Sequence, residues 1–294
     1  MNPARSRLLI VATAVLFSTG GAGIKAAGLN GWQIACYRSA VAMAAVWLLL
    51  PEARRGWNRR MIPVSAAYAF TVITFVLSNR MTTAVNAVFL QATAPLYVLL
   101  LGPWLLGEQI RKSDSFYMAA VIGGLAMFFI GRESAVSTAP SPEAGNLLSL
   151  ISGVGYALML IGLRWVARDK RQESVLPAIV LGNLLACLAA LPMAISAPAP
   201  SGANLWRNAA VIAYLGVFQV GLSYVCLSRA IRHVEAFEAT AILLLEPAIN
   251  PIWVWLVRGE RPGEWALGGG ALILSATLFN AWKQRPPKSA NSIR

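Results

Sequence analysis

One apolar stretch carries residues that could do chemistry. The segment LLLEPAINPIWVWL, residues 243–256, places a glutamate, an asparagine and two prolines within a run long enough to lie inside a membrane. Glu246, Asn250 and Trp253 are spaced i, i+4 and i+7, so a helix would carry them on one face. Each proline lacks a backbone N–H and leaves a carbonyl one turn earlier without its partner. Glu246 is therefore either a functional carboxyl facing a cavity or a protonated one bonded to the freed backbone.

The composition is that of a polytopic membrane protein. Hydrophobic residues make up 57% of the 294 residues and charged residues 13%, whereas about a quarter of an average soluble protein is charged. The net charge of +13 comes from basic residues in short clusters between apolar runs, which argues against a nucleic-acid interface. Three cysteines lie singly in apolar segments and there is one histidine, so we predict no disulfide framework, metal site or cofactor.

Ten segments are predicted to be transmembrane helices because each offers about 20 mostly apolar residues. We number them as spans 1 to 10, covering residues 7–27, 32–50, 62–80, 84–106, 115–131, 146–166, 175–196, 208–227, 236–257 and 264–282. With the N-terminus in the cytoplasm, the inner segments hold 18 of the 25 basic residues, which predicts that both termini are cytoplasmic. The first span resembles a signal peptide, but we interpret it as an uncleaved helix since many spans follow.

The two halves of the chain resemble each other. Pro95 and Pro247 are 152 residues apart, and so are Glu108 and Glu260 in the Gly-Glu pairs that end the same spans. The offset between the halves is 149 in spans 3 and 8, and 139 in spans 1 and 6. Each half has five spans, an odd number, so the second must enter the membrane from the opposite face, as in inverted-repeat transporters. The predicted units are a first repeat at 1–131, an extracytoplasmic linker at 132–145, a second repeat at 146–283 and a cytoplasmic tail at 284–294.

These paired Pro-to-Gly-Glu segments, together with the second span YRSAVAMAAVWLLLP, resemble the EamA-type branch of the drug/metabolite transporter superfamily. The resemblance covers about residues 8–131 and 146–281, and within the branch it is nearest to YddG-like aromatic amino-acid exporters. It implies a central cavity surrounded by spans 1, 3, 6 and 8. Many relatives carry Trp-Gly early in the first span, where this chain has Phe17-Ser18, so the resemblance bears on the fold more than on the substrate.

Aromatic and polar residues recur at helical spacing in the spans around that cavity. The predicted substrate-binding residues are Glu246, Asn250, Trp253, Phe75, Tyr68, Tyr224, Tyr214, Phe218, Phe17, Tyr156 and Arg38, with Pro95 and Pro247 as bend points. For each aromatic residue alone, packing between helices is an alternative explanation. For Arg38 the simplest account is that it reaches the outer interface or bonds a neighbouring carbonyl. The sharper account is that its guanidinium binds a carboxylate.

The sequence thus predicts an alternating-access exporter of small metabolites in the cell membrane, monomeric, with amino acids and above all aromatic ones as substrates. If Glu246 exchanges a proton, transport is coupled to a pH gradient; otherwise it is facilitated diffusion. An exporter of cationic drugs with Glu246 as counter-ion is the alternative. A membrane-embedded enzyme is disfavoured because no span holds the clustered His, Asp, Cys or Ser that such enzymes need. A channel is disfavoured because no filter motif repeats.

Overall fold

A computed structural model describes an all-helical protein. It describes residues 3–106, 112–130, 135–169, 174–198, 204–234, 236–259 and 263–283. Within these ranges the one β-type contact is an isolated bridge between Val136 and Ala139. Gly107-Glu108, Glu260, the tail at 284–294 and residues 131–134 at the start of the linker lie outside the described residues.

The described residues form fourteen α helices, a 3₁₀ turn and a π-helical segment. The α helices are α1 (Pro3–Ser18), α2 (Gly20–Ala26), α3 (Gly31–Leu49), α4 (Met61–Met81), α5 (Ala84–Gln91), α6 (Ala94–Leu106), α7 (Lys112–Ile130), α8 (Pro142–Ala167), α9 (Leu176–Ile195), α10 (Leu205–Tyr214), α11 (Ser223–Ala230), α12 (Ala236–Leu243), α13 (Leu245–Arg258) and α14 (Glu264–Lys283). The 3₁₀ turn is Pro51–Arg54, and the π segment, Leu215–Leu222, joins α10 to α11.

Each of the ten predicted spans is helical, although spans 1, 4 and 9 each consist of two helices and span 8 contains the π segment. Seven segments of the described chain are long and apolar enough to cross a membrane: Ala4–Ala26, Gly31–Leu49, Met61–Met81, Ala84–Gly102, Pro142–Ala167, Leu176–Ile195 and Leu205–Ala230. Phe116–Ile130 and Glu264–Phe279 are apolar but shorter. Ten crossings and cytoplasmic termini stay predictions.

Local sequence signals fix several helix ends. At the start of α3 the side chain of Asn30 accepts the N–H of Gln33, and the Gln33 side chain accepts the N–H of Asn30, at 2.8 and 3.2 Å. This reciprocal pair satisfies two donors that a helix start leaves open. α13 ends at Gly259, whose φ of 65° is a left-handed conformation that glycine adopts without strain. The sequence places the end of span 9 at this Gly-Glu pair, and the helix does end immediately before Gly259.

Among the described residues, four segments predicted to be cytoplasmic lie together at one end of the molecule: the N-terminus and the loops after spans 2, 6 and 8. Three ion pairs join them: Arg7–Glu238 at 2.7 Å, Arg60–Asp169 at 3.4 Å and Arg229–Glu52 at 3.7 Å. At the other end, Gly28 donates its N–H to Asn208 and Gln33 donates to the Pro198 carbonyl. Exposed ion pairs contribute at most about 1 kcal/mol each to the free energy of folding. These contacts are informative mainly because they show which loops lie at the same end of the molecule.

Contacts that helices of the first half make have counterparts made by the equivalent helices of the second half. α3 packs on its counterpart α9, and α7 on its counterpart α14, while the contact of α4 with α8 is mirrored by that of α11 with α1. The same correspondence between the halves relates two hydrogen bonds from basic side chains, the first buried and the second partly buried. Lys25 donates to the carbonyl of Thr82, the residue that caps α4, and Arg164 donates to that of Ile231, which caps α11. A cation also stabilises a helix C-terminus through the helix dipole.

Candidate functional site

Spans 4 and 9 break at equivalent positions, next to the two prolines predicted as bend points. α5 ends at Gln91 and α12 ends at Leu243, 152 residues further on. Each of these residues lies four positions before a proline, Pro95 or Pro247, and a proline has no N–H to bond the carbonyl at that distance. The prolines therefore account for where both helices break. That they act as hinges during transport stays a prediction.

The first span breaks at Thr19, between α1 and α2. Asn250 donates from Nδ2 to the Ser18 carbonyl at 2.7 Å, and Trp253 donates from Nε1 to the Ser18 hydroxyl oxygen at 3.0 Å. Gly21 leaves room for this contact, since a Cβ there would lie 2.8 Å from the Asn250 Nδ2. Two of the three residues on the predicted binding face of span 9 therefore hold the break in span 1.

A narrow central cavity of about 30 Å³ lies among the helices. Its lining residues are Phe17, Arg38, Thr71, Val72, Phe75, Gln91, Tyr156, Gln219, Val220, Tyr224 and Glu246. Six of the predicted binding residues are among them: Phe17, Arg38, Phe75, Tyr156, Tyr224 and Glu246. The spans expected to surround a cavity, spans 1, 3, 6 and 8, supply most of this wall. Binding of substrate by these residues stays a prediction.

The cavity wall consists largely of residues at equivalent positions of the two halves. The offset of 139 relates Phe17 to Tyr156, and the offset of 149 relates Phe75 to Tyr224. One turn earlier the offset is 148, and it relates Thr71 to Gln219 and Val72 to Val220; these four residues also line the cavity. The offset between the halves changes by one residue within the π segment. A π-helical turn contains more residues than an α-helical turn, which accounts for the extra residue in the second half.

A second cavity, of about 20 Å³, lies between the helix breaks of spans 4 and 9. It is lined by Val88, Gln91, Ala92, Ala94, Pro95, Tyr156, Leu243, Leu244, Glu246 and Pro247. Gln91, Tyr156 and Glu246 line both cavities and therefore stand between them. Gln91 donates from Nε2 to the Ser152 hydroxyl at 2.7 Å. The Tyr156 hydroxyl is buried and has no hydrogen-bond partner among the described residues.

Glu246 faces the central cavity with an unpaired carboxyl group. Its side chain is 7% exposed, and it forms no hydrogen bond or ion pair with any described residue. The alternative in which the carboxyl bonds the backbone freed by the prolines is therefore not what the described chain adopts. Because an isolated charge is costly to bury, a group in this position is expected to exchange a proton or to meet a ligand.

Arg38 is the second charged residue of the cavity. It is 2% exposed, so the interpretation that it reaches the outer interface is wrong, while the alternative bond to a neighbouring carbonyl is present. Its guanidinium donates from Nη2 to the Val72 carbonyl at 3.3 Å and from Nη1 to the Gln219 side-chain oxygen at 3.5 Å. Its Nε–H has no partner among the described residues. Arg38 and Glu246 thus bring a guanidinium and a carboxyl group to one cavity without pairing.

Aromatic rings form the wall next to Arg38. The ring of Tyr224 lies 5.0 Å from that of Phe17 and 4.7 Å from that of Tyr68, measured between centroids. Tyr68 stands behind Tyr224 and does not line the cavity; its hydroxyl accepts a hydrogen bond from Asn183 Nδ2 at 2.8 Å. Tilted ring pairs of this kind contribute about 0.5–1.5 kcal/mol beyond burial. Tyr68 therefore fixes the position of a lining residue.

Tyr214 and Phe218 point away from the cavity, so the prediction that they line it is wrong. They are 40% and 48% exposed, and their rings stack on each other with centroids 5.9 Å apart. The Tyr214 hydroxyl donates to Thr19 Oγ1 at 3.0 Å. Their spacing relative to Tyr224 assumed a regular α helix. The wider turns of the π segment rotate the earlier residues onto a different face.

Two glutamines of the cavity were not singled out by the sequence reasoning. Gln91 and Gln219 each lie within an apolar run, VFLQATA and GVFQVGL. A side-chain amide inside a membrane helix needs a polar partner or cavity water, as a charged residue does. A search of the apolar runs for uncharged polar residues, in addition to charged ones, would have found both Gln91 and Gln219.

The family model of EamA-like transporters matches residues 5–130 and residues 143–282, which together cover both halves of the chain. The chain belongs to the EamA-like transporter family. Membership makes it a transporter rather than an enzyme, and a multi-pass protein of the cell membrane. The predicted resemblance to the EamA-type branch is confirmed.

Among characterised relatives is the pseudopaline exporter CntI of Pseudomonas aeruginosa strain UCBPP-PA14, 25% identical over 278 residues that cover 92% of this chain and 94% of the exporter. CntI of strain PAO1 is 24% identical over 286 residues, with the same coverage of 92% and 94%. A crystal structure with 15% identity superimposes with a TM-score of 0.65 over 96% of this chain and 99% of that one. That likeness shows the fold alone. These relatives support export of a small metabolite, and they do not support the narrower resemblance to YddG-like aromatic amino-acid exporters.

Proposed function

We propose that this EamA-like transporter exports small metabolites that carry both a carboxylate and an ammonium group, with aromatic amino acids as the first candidates. The observation behind the proposal is that Arg38 and Glu246 face one cavity without pairing. A guanidinium binds a carboxylate through two parallel hydrogen bonds, and the carboxyl of Glu246 can accept an ammonium group. The rings of Phe17, Tyr156 and Tyr224 offer an apolar surface to the body of the ligand.

The proposed mechanism is alternating access by two inverted five-helix repeats, with ten membrane crossings and both termini in the cytoplasm. Sites of such transporters lie between the repeats, where discontinuous helices meet. The paired breaks beside Pro95 and Pro247 and the paired lining residues of the two cavities support this arrangement. A monomer in the lipid bilayer is sufficient, since the duplicated chain supplies both halves.

Transport by the purified protein in proteoliposomes tests the proposal. Labelled phenylalanine, tyrosine, leucine, lysine and glutamate are offered with and without a pH gradient. We expect uptake of the aromatic amino acids, and loss of uptake in Arg38→Gln and in Glu246→Gln. Transport of none of the panel by wild-type protein that is folded and inserted would refute the amino-acid proposal.

Proton coupling through Glu246 is a separate step of the proposal. Replacing it by glutamine keeps the size and the hydrogen-bonding capacity of the side chain but removes the titrating group. Glu246→Gln should abolish uptake driven by a pH gradient and leave the fold intact. If the dependence on the gradient is unchanged in this variant, Glu246 carries no coupling proton. Uptake that does not depend on the gradient even in the wild-type protein would be facilitated diffusion.

Export of cationic drugs is the second candidate function. It is favoured by the unpaired carboxyl of Glu246 in an aromatic-lined cavity. It is disfavoured by the guanidinium of Arg38, which would repel a cation in the same space. Competition of phenylalanine uptake by tetraphenylphosphonium in the wild-type protein would favour the drug exporter. Absence of competition would favour the amino-acid carrier.

A further inference from the structure

Gln219 is the polar partner of Arg38 on the cavity wall. It is 4% exposed, and its side-chain oxygen accepts the bond from Arg38 Nη1 at 3.5 Å. The other acceptor of Arg38 is a backbone carbonyl. Among the described residues, both partners of Arg38 are therefore neutral. The guanidinium is therefore not neutralised by the described protein, and its buried Nε–H also has no partner there.

The Gln219 side chain packs against the break in span 1, where a Cβ at Gly20 would lie 2.7 Å from its Nε2. The π segment that carries Gln219 packs closely on α3, since a Cβ at Gly216 would lie 2.9 Å from the Arg38 carbonyl oxygen. π segments interrupt α helices frequently at functional sites. The equivalent residue of the first half, Thr71, lies in the regular helix α4.

We infer that Gln219 is a positioning residue that directs Arg38 at the cavity and leaves it uncompensated, and that it thereby selects substrates with a carboxylate. The inference rests on the proposed function and adds a specificity-determining residue to it. A neutral amide fixes the guanidinium through one hydrogen bond. A carboxylate in its place would satisfy the guanidinium within the protein and exclude a carboxylate from the ligand.

Binding of labelled phenylacetate and phenylacetamide to the purified protein in detergent tests this step without transport. The two ligands have the same ring and differ in the charge of one group. We expect wild-type protein to bind phenylacetate at least ~10-fold more tightly, the order expected for a buried hydrogen bond to a charged group. In Gln219→Glu the new carboxylate would lie about 3.5 Å from Arg38. The preference should then fall to within about twofold, with phenylacetamide binding unchanged, because only the charge of the site differs.

A second variant moves Gln219 without replacing it. Gly20→Ala crowds the flexible end of the Gln219 side chain and no backbone atom, so the protein should fold and lose part of the preference. The matched control is Gln33→Glu, the same change at a buried glutamine that bonds the Pro198 carbonyl at one end of the molecule. It should keep the wild-type preference. Arg38→Gln should remove the preference for phenylacetate, and protein-free micelles measure the binding that the detergent alone produces.

Two results would overturn the inference: equal binding of the two ligands by wild-type protein, or a wild-type preference in Gln219→Glu. A loss of phenylacetamide binding in parallel with phenylacetate would mean that the variant disturbs the whole cavity, and it would count against a positioning role. Failure of the proposed function has a different signature. In that case no amino acid is transported in proteoliposomes, while the carboxylate preference of the binding assay remains.

Discussion

Asn250→Ala should detach span 9 from the break in span 1. Asn250 is completely buried, and its side chain donates to the carbonyl of Ser18, the last residue of α1. Alanine cannot replace this donor, so the substitution removes the hydrogen bond and leaves a buried carbonyl beside the break. The break itself places Phe17 on the cavity wall. The substitution is therefore expected to affect both stability and transport.

The magnitude follows from the type of contact. Leaving a buried backbone acceptor unpaired costs about 1–3 kcal/mol in soluble proteins. Side-chain hydrogen bonds between membrane helices average about 0.6 kcal/mol and reach about 1.7. For Asn250→Ala we expect a loss of about 1–2 kcal/mol in the free energy of unfolding, near the upper end of the membrane range because the site is fully buried.

Trp253 and Ser18 provide matched controls. Trp253→Phe and Ser18→Ala each remove the bond between the indole N–H and the Ser18 hydroxyl, while the bond from Asn250 to the carbonyl remains. Trp253 is 36% exposed, so each control should cost less than about 0.6 kcal/mol, the average for such a bond. The double variant should cost no more than either single variant, because both remove the same contact.

Reversible unfolding in mixed micelles with increasing dodecyl sulfate measures these differences. The reasoning is refuted if Asn250→Ala changes the free energy of unfolding by less than about 0.3 kcal/mol, the error of additivity between independent sites. It is also refuted if Trp253→Phe costs more than Asn250→Ala. That result would mean that the contact with the Ser18 hydroxyl, and not the contact with its backbone carbonyl, stabilises the break in span 1.

Two further comparisons test the assignment of the cavity wall. Gly182→Ala should lower the free energy of unfolding by about 1–3 kcal/mol through overpacking, since its Cβ would lie 2.6 Å from the Tyr68 ring. Its control, Gly123→Ala, would meet its nearest neighbour at 3.8 Å and should leave the free energy of unfolding unchanged in the same assay. Phe75→Ala, on the cavity wall, should reduce amino-acid uptake by about tenfold, the effect of about 1.4 kcal/mol. Phe218→Ala, at an exposed ring, should leave uptake within about twofold, and equal effects would contradict the assignment.

The sequence predicted the features that depend on neighbouring residues in the chain. The helices lie where the apolar runs are, and the breaks before Pro95 and Pro247 follow from a missing N–H that is visible in the sequence. It failed where the backbone departs from the α helix without a proline. The π segment turns Tyr214 and Phe218 outward, and no residue type in LGVFQVGL announces it. Such departures depend on packing against neighbouring helices, which a single helical period cannot represent.

The break in span 1 illustrates the same limit. It falls at Thr19, and the equivalent stretch of the second half lies within the continuous helix α8. The glycines around the break permit it, but the hydrogen bonds that hold it come from span 9, more than 200 residues away in the chain. A contact between distant segments cannot be read from either segment alone. Asn250 therefore looked like a binding residue when only its own helix was considered.

The scaffold is shared by the two halves, and the charged and polar groups that we propose to bind substrate are not. Ala94, the counterpart of Glu246, lines the same smaller cavity without a polar group, and Thr71 stands where the second half has Gln219. Identical groups on both sides would give the cavity two equal ends. Unlike groups give it one end suited to a carboxylate and another suited to an ammonium group. Because a buried guanidinium and a buried carboxyl group without partners are costly, a ligand that carries groups complementary to both would stabilise the closed cavity more than a ligand that carries one. On this reasoning the substrate itself completes the charge balance that permits the cavity to close and the halves to exchange conformations.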